Sequence, residues 1–301
     1  MPVHPRVGRL DRVCTREHSL FTPRTPRVVA ARRLHRRRER DQTGRFLAEG
    51  PQAIREALAS PGVVVELFGT PTGLGRYADL AATAAGAGIP VSALTDEALA
   101  GLTETVTPQG IVAVCHRVDV PLAEAVRRRP ELVAVLAEIR DPGNAGTVLR
   151  TADAAGAQAV IFAGEAVDPY NGKCVRASAG SLFHLDVVRA PDPAEVVAVL
   201  RAAGLTVLAA SGYGETDLDD LTDRGGLAGP TAWLFGSEAH GLPAELAEAA
   251  DARVRVPLHG RAESLNLAAA AAVCLYASAR ALRSGRRPVP ETRTTTGEMS
   301  T

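Results

Sequence analysis

The stretch Asp141-Pro-Gly-Asn144-Ala-Gly146-Thr-Val-Leu-Arg150-Thr-Ala-Asp-Ala-Ala-Gly156 follows the apolar run Leu132–Ile139. That run is short, nearly continuous and rich in β-branched residues, which is typical of a strand covered on both faces. A proline–glycine pair then breaks the chain, and a helical pattern begins behind Asn144 or its neighbours, because Asn and Asp favour helix starts. The final glycine is placed to end the helix, and Ala159–Ala163 is predicted as the next strand. The stretch therefore predicts a strand–loop–helix–strand unit of an α/β fold, with Arg150 on its helix.

Two later stretches are equally unusual. Trp233-Leu-Phe-Gly236-Ser-Glu238-Ala-His-Gly241-Leu-Pro243 is an apolar strand followed by a Gly-x-Glu-x-x-Gly turn. Val254-Arg-Val256-Pro257-Leu258-His-Gly260 is a strand that continues into a loop, and Ser264-Leu265-Asn266 then begins a very alanine-rich helix. Taken singly, the three stretches have ordinary explanations as two helix caps and one tight turn.

Together and in this order, the three stretches resemble the three sequence motifs of the SpoU/TrmH family of RNA ribose methyltransferases, within the SPOUT superfamily. The resemblance covers roughly Leu132 to Leu282, and Ala177-Ser-Ala-Gly180-Ser-Leu-Phe-His184 is also similar to that family. Gly44-Arg45-Phe46-Leu47-Ala48-Glu49-Gly50 resembles, more weakly, the opening of the family's substrate-binding domain, which has a ribosomal-protein-like fold. The resemblance implies a C-terminal α/β domain with a mainly parallel sheet, a smaller N-terminal α/β domain that binds RNA, and a homodimer. It also implies a trefoil knot around the cofactor, which rests on the family alone because knots are rare in proteins.

The implied chemistry is methyl transfer from S-adenosylmethionine to a ribose 2′-hydroxyl of rRNA or tRNA. Arg150 matches the arginine that activates the hydroxyl. Because a guanidinium keeps its proton above about pH 12, we expect Arg150 to stabilise the developing oxyanion and to hold a phosphate. The alternative for Arg150 is a surface ion pair with Asp153. By the same resemblance, the residues that shape the site are Asn144, Glu238, Ser264 and Asn266. The positions that contact the cofactor are Leu234, Gly236, Val256, Leu258 and Leu265.

Although the chain has a net charge of zero, its N-terminal segment is a basic arm. Residues 1–45 carry thirteen arginines against four acidic residues, a net charge of +9, so the remainder carries −9. Such an arm is suited to phosphate, since each neutralised phosphate releases condensed counterions. RNA contact is expected where arginines are densest, in Ala30–Arg40, and the candidate residues are Arg32, Arg33, Arg36, Arg37 and Arg45. The alternatives are a solvated helix face and an arginine-rich tail from a GC-rich coding sequence.

At 301 residues the chain is long enough for two domains. We expect a disordered basic extension at 1–27, an RNA-binding domain at 28–116, a linker at 117–131, a methyltransferase domain at 132–284 and a disordered tail at 285–301. The polar segment Asp217–Gly229 is predicted to be a loop. The helix Leu265–Leu282 has an apolar face that must pack inside the fold or against a partner subunit.

Several other classes of protein are disfavoured. No apolar run reaches the roughly 18 residues needed to cross a bilayer, and the arginine-rich N-terminus lacks the apolar region of a signal peptide. Four scattered cysteines without a Cys-x-x-Cys pair argue against a metal site and favour a cytoplasmic location. Gly73-Leu-Gly75-Arg-Tyr-Ala78 matches a dinucleotide fingerprint, but Asp96, at the position of the ribose-binding acid, is expected to start a helix instead. Two functional alternatives remain, a catalytically silent RNA-binding protein and an antibiotic-resistance rRNA methylase with the same chemistry.

Overall fold

A computed structural model describes residues 20–284, and the first part of that range forms a four-stranded sheet flanked by helices. The strands lie in the order β1-β4-β2-β3, with β4 antiparallel to both neighbours and β2 parallel to β3. The strands are β1 Arg45–Glu49, β2 Val64–Gly69, β3 Val91–Ala93 and β4 Ile111–His116. The helices are α1 Pro26–Arg33, α2 Arg37–Thr43, α3 Pro51–Ala59, α4 Pro71–Arg76, α5 Ala78–Gly86 and α6 Asp96–Ala100.

The expected basic extension is ordered over its last eight residues, which corrects the prediction of disorder for 1–27. Phe21 pairs with β3 through hydrogen bonds of 2.9 Å to Ala93 and 3.0 Å from Thr95. The Arg27 guanidinium lies over the Phe21 ring and pairs with Glu66. Residues 1–19 of the predicted extension and the predicted tail at 285–301 lie outside the described residues.

A short helix, α7 Leu122–Arg127, follows β4 and leads into a sheet of seven parallel strands. Their order is β7-β6-β5-β10-β8-β11-β9, and every neighbouring pair is parallel. The strands are β5 Leu132–Ala137, β6 Ala159–Ala163, β7 Asp186–Ala190, β8 Thr206–Ala210, β9 Thr216–Asp217, β10 Thr231–Phe235 and β11 Ala252–Arg255. The helices are α8 Pro142–Ala155, α9 Gly172–Ser178, α10 Pro193–Ala202, α11 Leu218–Asp223, α12 Ala244–Ala249 and α13 Leu267–Ser284, and a 3-10 turn covers Ser181–Phe183. The mainly parallel α/β fold is confirmed.

The region 217–229 is not a continuous loop, which corrects that prediction. Asp217 ends β9 and caps α11 by accepting a hydrogen bond of 2.9 Å from the backbone of Asp219. Leu218 is buried, and Leu221 packs against the same core. Two leucines one turn apart anchor the helix despite its polar surroundings.

The connection between β8 and β9 passes over β11, because β11 lies between those two strands in the sheet. Gly214 in this connection packs onto β11 so closely that an added methyl group would lie 2.7 Å from backbone atoms of Arg253. The chain then leaves β11 and returns in α13, which packs against α8, β5 and β10. This crossing connection is compatible with the expected knot, which stays a prediction.

The two sheets pack together through one continuous core. The Phe46 ring of β1 lies 4.7 Å from the Tyr170 ring and 6.1 Å from the Phe183 ring, centroid to centroid. Beside them, the guanidinium of Arg40 donates a 2.7 Å hydrogen bond to Asp168, with both side chains at most 4% exposed. The same guanidinium donates to the carbonyls of Leu34 and His35. A fully satisfied buried ion pair therefore joins α2 to the larger sheet's domain.

No helix among residues 20–284 is long and apolar enough to cross a membrane. The three described cysteines are free and buried, and burial raises the pKa of each thiol, to about 12 for Cys274. They are therefore core residues without thiolate character.

We predict that Asp168→Asn destabilises the protein by about 3 kcal/mol, because it leaves the buried Arg40 charge without its partner. Urea denaturation monitored by tryptophan fluorescence measures the change. Asp79→Asn is the matched control, since Asp79 forms an exposed ion pair with Arg55 and should hardly change the free energy of unfolding. Equal, small changes in both variants would contradict a stabilising role for the buried pair.

Candidate active site

The three stretches that resembled family motifs follow β5, β10 and β11, and all three strands are parallel. Their carboxyl ends therefore meet at one edge of the sheet, where ligands bind in open α/β sheets. β10 pairs directly with β5, and β11 lies two strands away from β10. The loop after β10 thus lies between the other two.

The first loop ends in a well-defined helix cap. Asp141, and not Asn144, caps α8, and its carboxylate accepts a hydrogen bond of 2.7 Å from the backbone of Asn144. Pro142 occupies the first helical position, where its missing N–H is not needed. The helix thus begins three residues earlier than a cap at Asn144 would place it. Gly156 ends α8 with φ of 83°, as predicted.

Asn144 links all three loops. Its Nδ2 donates a 2.5 Å hydrogen bond to Oε1 of Glu238 in the second loop. Its Oδ1 accepts a 3.2 Å hydrogen bond from Nδ2 of Asn266, at the end of the third loop. The Oδ1 of Asn266 in turn accepts from the backbone of Ala268 and Ala269 and so caps α13. Three of the four predicted site-shaping residues are therefore linked by direct hydrogen bonds.

The second loop is a tight turn that requires glycine. Ser237 and Gly241 exchange two backbone hydrogen bonds of 3.0 and 2.8 Å, which fold the turn back on itself. An added methyl group at Gly236 would lie 2.2 Å from backbone atoms of Gly241 and Leu242. Gly241 has φ of 69°, a conformation that glycine adopts without strain. The predicted contact residue Leu234 is buried in the core below this turn.

The third loop has the features of a binding surface. Leu258 and Leu265 are 40% and 38% exposed, and Val256 is partly buried. Between Leu258 and Leu265, no backbone N–H donates to an acceptor among the described residues. Exposed leucines beside free backbone donors are suited to a flat, partly apolar group with hydrogen-bond acceptors, such as the adenine of S-adenosylmethionine. The donor set therefore fits the expected cofactor.

Arg150 is exposed on α8 and forms no ion pair within residues 20–284. The predicted alternative, an ion pair with Asp153, is wrong, because the Asp153 carboxylate lies 2.8 Å from Nδ1 of His184. The other ring nitrogen of His184 lies 3.1 Å from Glu56 on α3, and the hydrogen bond to Asp153 raises the pKa of His184. Ser264, predicted beside Asn266, is exposed, and its hydroxyl has no hydrogen bond in the described part of the chain.

Sequence reasoning missed two residues of this site, Asp141 and Lys173. Asp141 is ion-paired with Lys173 of α9, with 2.8 Å between Oδ2 and Nζ. The hydrogen bond from Lys173, followed by that from the backbone of Asn144, lowers the pKa of Asp141. The available signal was composition, since Lys173 is the chain's one lysine.

The predicted RNA-binding residues Arg32, Arg33, Arg36, Arg37 and Arg45 are all exposed around α1, α2 and the start of β1. Arg37 lies 3.7 Å from Asp41, and the other four have no ion pair in the described region. Arg40, at the end of the expected Ala30–Arg40 segment, is 3% exposed and cannot contact RNA. No cluster of possible metal ligands occurs among residues 20–284.

Comparison with known proteins agrees with this geometry. Residues 131–276 match the model of the SpoU rRNA Methylase family, and residues 25–113 match that of the MRM3-like substrate binding domain. The 23S rRNA (guanosine(2553)-2'-O)-methyltransferase RlmP of Bacillus subtilis is 38% identical over 245 residues, 81% of this chain and 92% of that protein.

Two solved structures extend the comparison. The AdoMet-bound rRNA methyltransferase from Sinorhizobium meliloti is similar with a TM-score of 0.76 and 34% identity, over 86% of this chain and 95% of that one. AviRb from Streptomyces viridochromogenes, in complex with AdoMet, gives a TM-score of 0.73 and 32% identity, over 87% of this chain and 100% of that one. The fold and the linked loops therefore define an S-adenosylmethionine-dependent RNA ribose 2′-O-methyltransferase. The chain belongs to the SpoU rRNA methylase family.

We predict that Asn144→Asp weakens S-adenosylmethionine binding about tenfold, or about 1.4 kcal/mol, because a carboxylate would face Glu238 and separate the loops. Glu238→Gln in the same protein should restore most of the affinity, since its amide can donate to the new carboxylate. Isothermal titration calorimetry of the two single variants and the double variant measures the coupling. Additive losses, without recovery in the double variant, would contradict a structural link through this contact.

Proposed function

We propose that the protein methylates the ribose 2′-hydroxyl of one nucleotide in 23S rRNA. The observation that carries the proposal is the contact of Asn144 with both Glu238 and Asn266, which joins the three family motifs at one edge of the sheet. The substrate class follows the relative RlmP of Bacillus subtilis, whose name specifies 23S rRNA. The retained motif residues speak against a catalytically silent RNA-binding protein.

When bound, S-adenosylmethionine supplies an electrophilic methyl group. In our proposal the third loop contacts the cofactor through its free backbone N–H groups and through Val256, Leu258 and Leu265. The turn at Gly236 gives backbone access from the second loop, and Leu234 supports that turn from the core. Asn144, Glu238, Ser264 and Asn266 hold the loops in position, so the protein contributes mainly by orienting the two reactants.

Arg150 is the residue that we propose acts on the reacting hydroxyl. Its guanidinium is free of acidic partners within the described structure, so its charge is available to the substrate. Stabilising the developing oxyanion and holding the adjacent phosphate need no deprotonation of the arginine, whereas action as a base would. The proton then leaves to water or to a phosphate oxygen.

We predict that Arg150→Ala lowers the single-turnover rate at least about a hundredfold, because it removes a donor that acts on the transition state. Arg150→Lys should recover little, since an ammonium lacks the guanidinium fork. Affinity for S-adenosylmethionine and thermal stability should change little in either variant. Arg224→Ala, which removes an exposed arginine directly after α11, is the control. Near-normal turnover of Arg150→Ala would remove this residue from the mechanism.

The exposed arginines around α1 and α2 are proposed to hold the RNA, and residues 28–116 to form the RNA-binding domain. We predict that Arg33→Gln with Arg36→Gln weakens binding of 23S rRNA and lowers its salt slope by about 1.4, at about 0.7 per phosphate contact on single strands. Filter binding between 50 and 300 mM salt measures the slope. Arg55→Gln is the control, since Arg55 is already paired with Asp79. An unchanged slope in the double variant would contradict RNA contact by this surface.

A homodimer is the proposed assembly, with α13 in its interface. Val273 and Tyr276, at 42% and 50% exposed, lie one turn apart on the face of α13 that no other element covers among the described residues. A second copy would bury these apolar groups. Sedimentation velocity tests the proposal, and a monomer at micromolar concentration that is unchanged by Tyr276→Asp would contradict it.

The target is tested by mapping ribose methylation across total RNA from cells with and without the gene. We expect one 23S rRNA position to lose its methyl group in the deletion strain. Loss at a tRNA position alone would contradict the proposed substrate. A drug-susceptibility change that accompanies the lost methyl group would favour the resistance methylase over a housekeeping enzyme.

Since ribosomal RNA lies in the cytoplasm, we propose the same location for the protein. Recovery of the protein in another cell fraction would contradict this location.

A further inference from the structure

Lys173 stands apart from the other cations of the chain. It is one lysine among thirty-three arginines, and it follows directly on the first residue of α9. Its stem passes close to the start of α8, where an added methyl group on Gly143 would lie 2.9 Å from its Cε and 3.3 Å from its Nζ. The lysine side chain therefore packs against Gly143, which has no Cβ to obstruct it.

The ammonium of Lys173 has unused hydrogen-bonding capacity. It carries three N–H donors, and within residues 20–284 its one acceptor is Oδ2 of Asp141, at 2.8 Å. The side chain is 56% exposed, so the remaining donors face solvent. An ion pair this exposed contributes little to the free energy of unfolding, so a stabilising role does not explain Lys173.

The position of Lys173 connects it to the active site. The Asp141 carboxylate that it binds also accepts the backbone N–H of Asn144, and Asn144 contacts Glu238 and Asn266. Lys173 therefore lies at the rim of the three linked loops. The Asp141 carboxylate both pairs with Lys173 and caps α8, so the ammonium lies beside the start of that helix.

We propose that Lys173 binds a backbone phosphate of the RNA strand that carries the target ribose, through the N–H groups that Asp141 leaves free. The inference rests on the proposed function, because it requires an RNA substrate at this edge of the sheet. Lys173 is then a substrate-positioning contact additional to the three family motifs. It sets where the strand crosses the rim and so aligns the ribose with the methyl donor.

Three variants distinguish phosphate binding by Lys173 from a role in which Lys173 only holds Asp141 in place. Lys173→Met should weaken binding of a full-length 23S rRNA transcript about three- to tenfold and lower its salt slope by about 0.7, with unchanged affinity for S-adenosylmethionine. Lys173→Arg keeps the charge and should retain the slope. Asp141→Asn removes the partner of Lys173 without removing the lysine, and it should leave the slope unchanged. A slope that falls in Asp141→Asn as much as in Lys173→Met would overturn the phosphate contact.

Chemical labelling gives a readout that does not depend on activity or on a variant's folding. Lys173 is the chain's one lysine, so acetylation by N-hydroxysuccinimide acetate, followed by mass spectrometry of its peptide, reports on this side chain. The 23S rRNA transcript should slow acetylation of Lys173 at least about fivefold at saturation, and S-adenosylmethionine alone should not. Bound transcript with an unchanged acetylation rate would overturn the inference while leaving the proposed function intact. Failure of the transcript to bind at all would instead overturn the proposed function, and the inference with it.

Discussion

One carboxamide holds the three loops of the site together. Asn144 donates to Glu238 and accepts from Asn266, residues that are 94 and 122 positions away in the chain. An amide can do both at once, whereas an ionised carboxylate accepts and does not donate. The second loop otherwise folds on itself, and the third makes few contacts of its own. In our proposal, the mutual position of the loops, and with it that of the methyl donor and the hydroxyl, depends on this side chain.

Much of this arrangement could be predicted, because it follows from local pattern and sheet geometry. Apolar runs covered on both faces marked the central strands, and the bounds of β6 were predicted without error. Parallel strands bring their carboxyl ends to one edge, so loops following three such runs had to converge. Family resemblance then supplied which residues in those loops matter. The convergence of Asn144, Glu238 and Asn266 needed no information beyond these two sources.

What could not be predicted depends on contacts between distant segments. Asp141 and Asn144 are equally good helix caps three residues apart, and the contact that distinguishes Asp141 is its ion pair with Lys173 on another helix. Helix α11 exists because Leu218 reaches the core, which a polar, glycine-rich segment does not reveal. Nothing in the sequence distinguishes the buried Arg40 from the exposed arginines beside it. Its partner Asp168 lies 128 positions further along the chain.

Arg40 and Arg150 differ in whether an acidic side chain lies within ion-pair distance. Arg40 is buried, and it is tolerated there because Asp168 and two carbonyls satisfy its guanidinium. The role that we propose for Arg150 needs the opposite environment, since a neutralised cation would exert a weaker field on a developing oxyanion. The nearest acid along α8, Asp153, is held by His184, whose raised pKa favours the charged imidazolium that keeps this contact. His184 thus occupies the one carboxylate on α8 that could have neutralised Arg150, and it leaves the guanidinium available for the role that we propose.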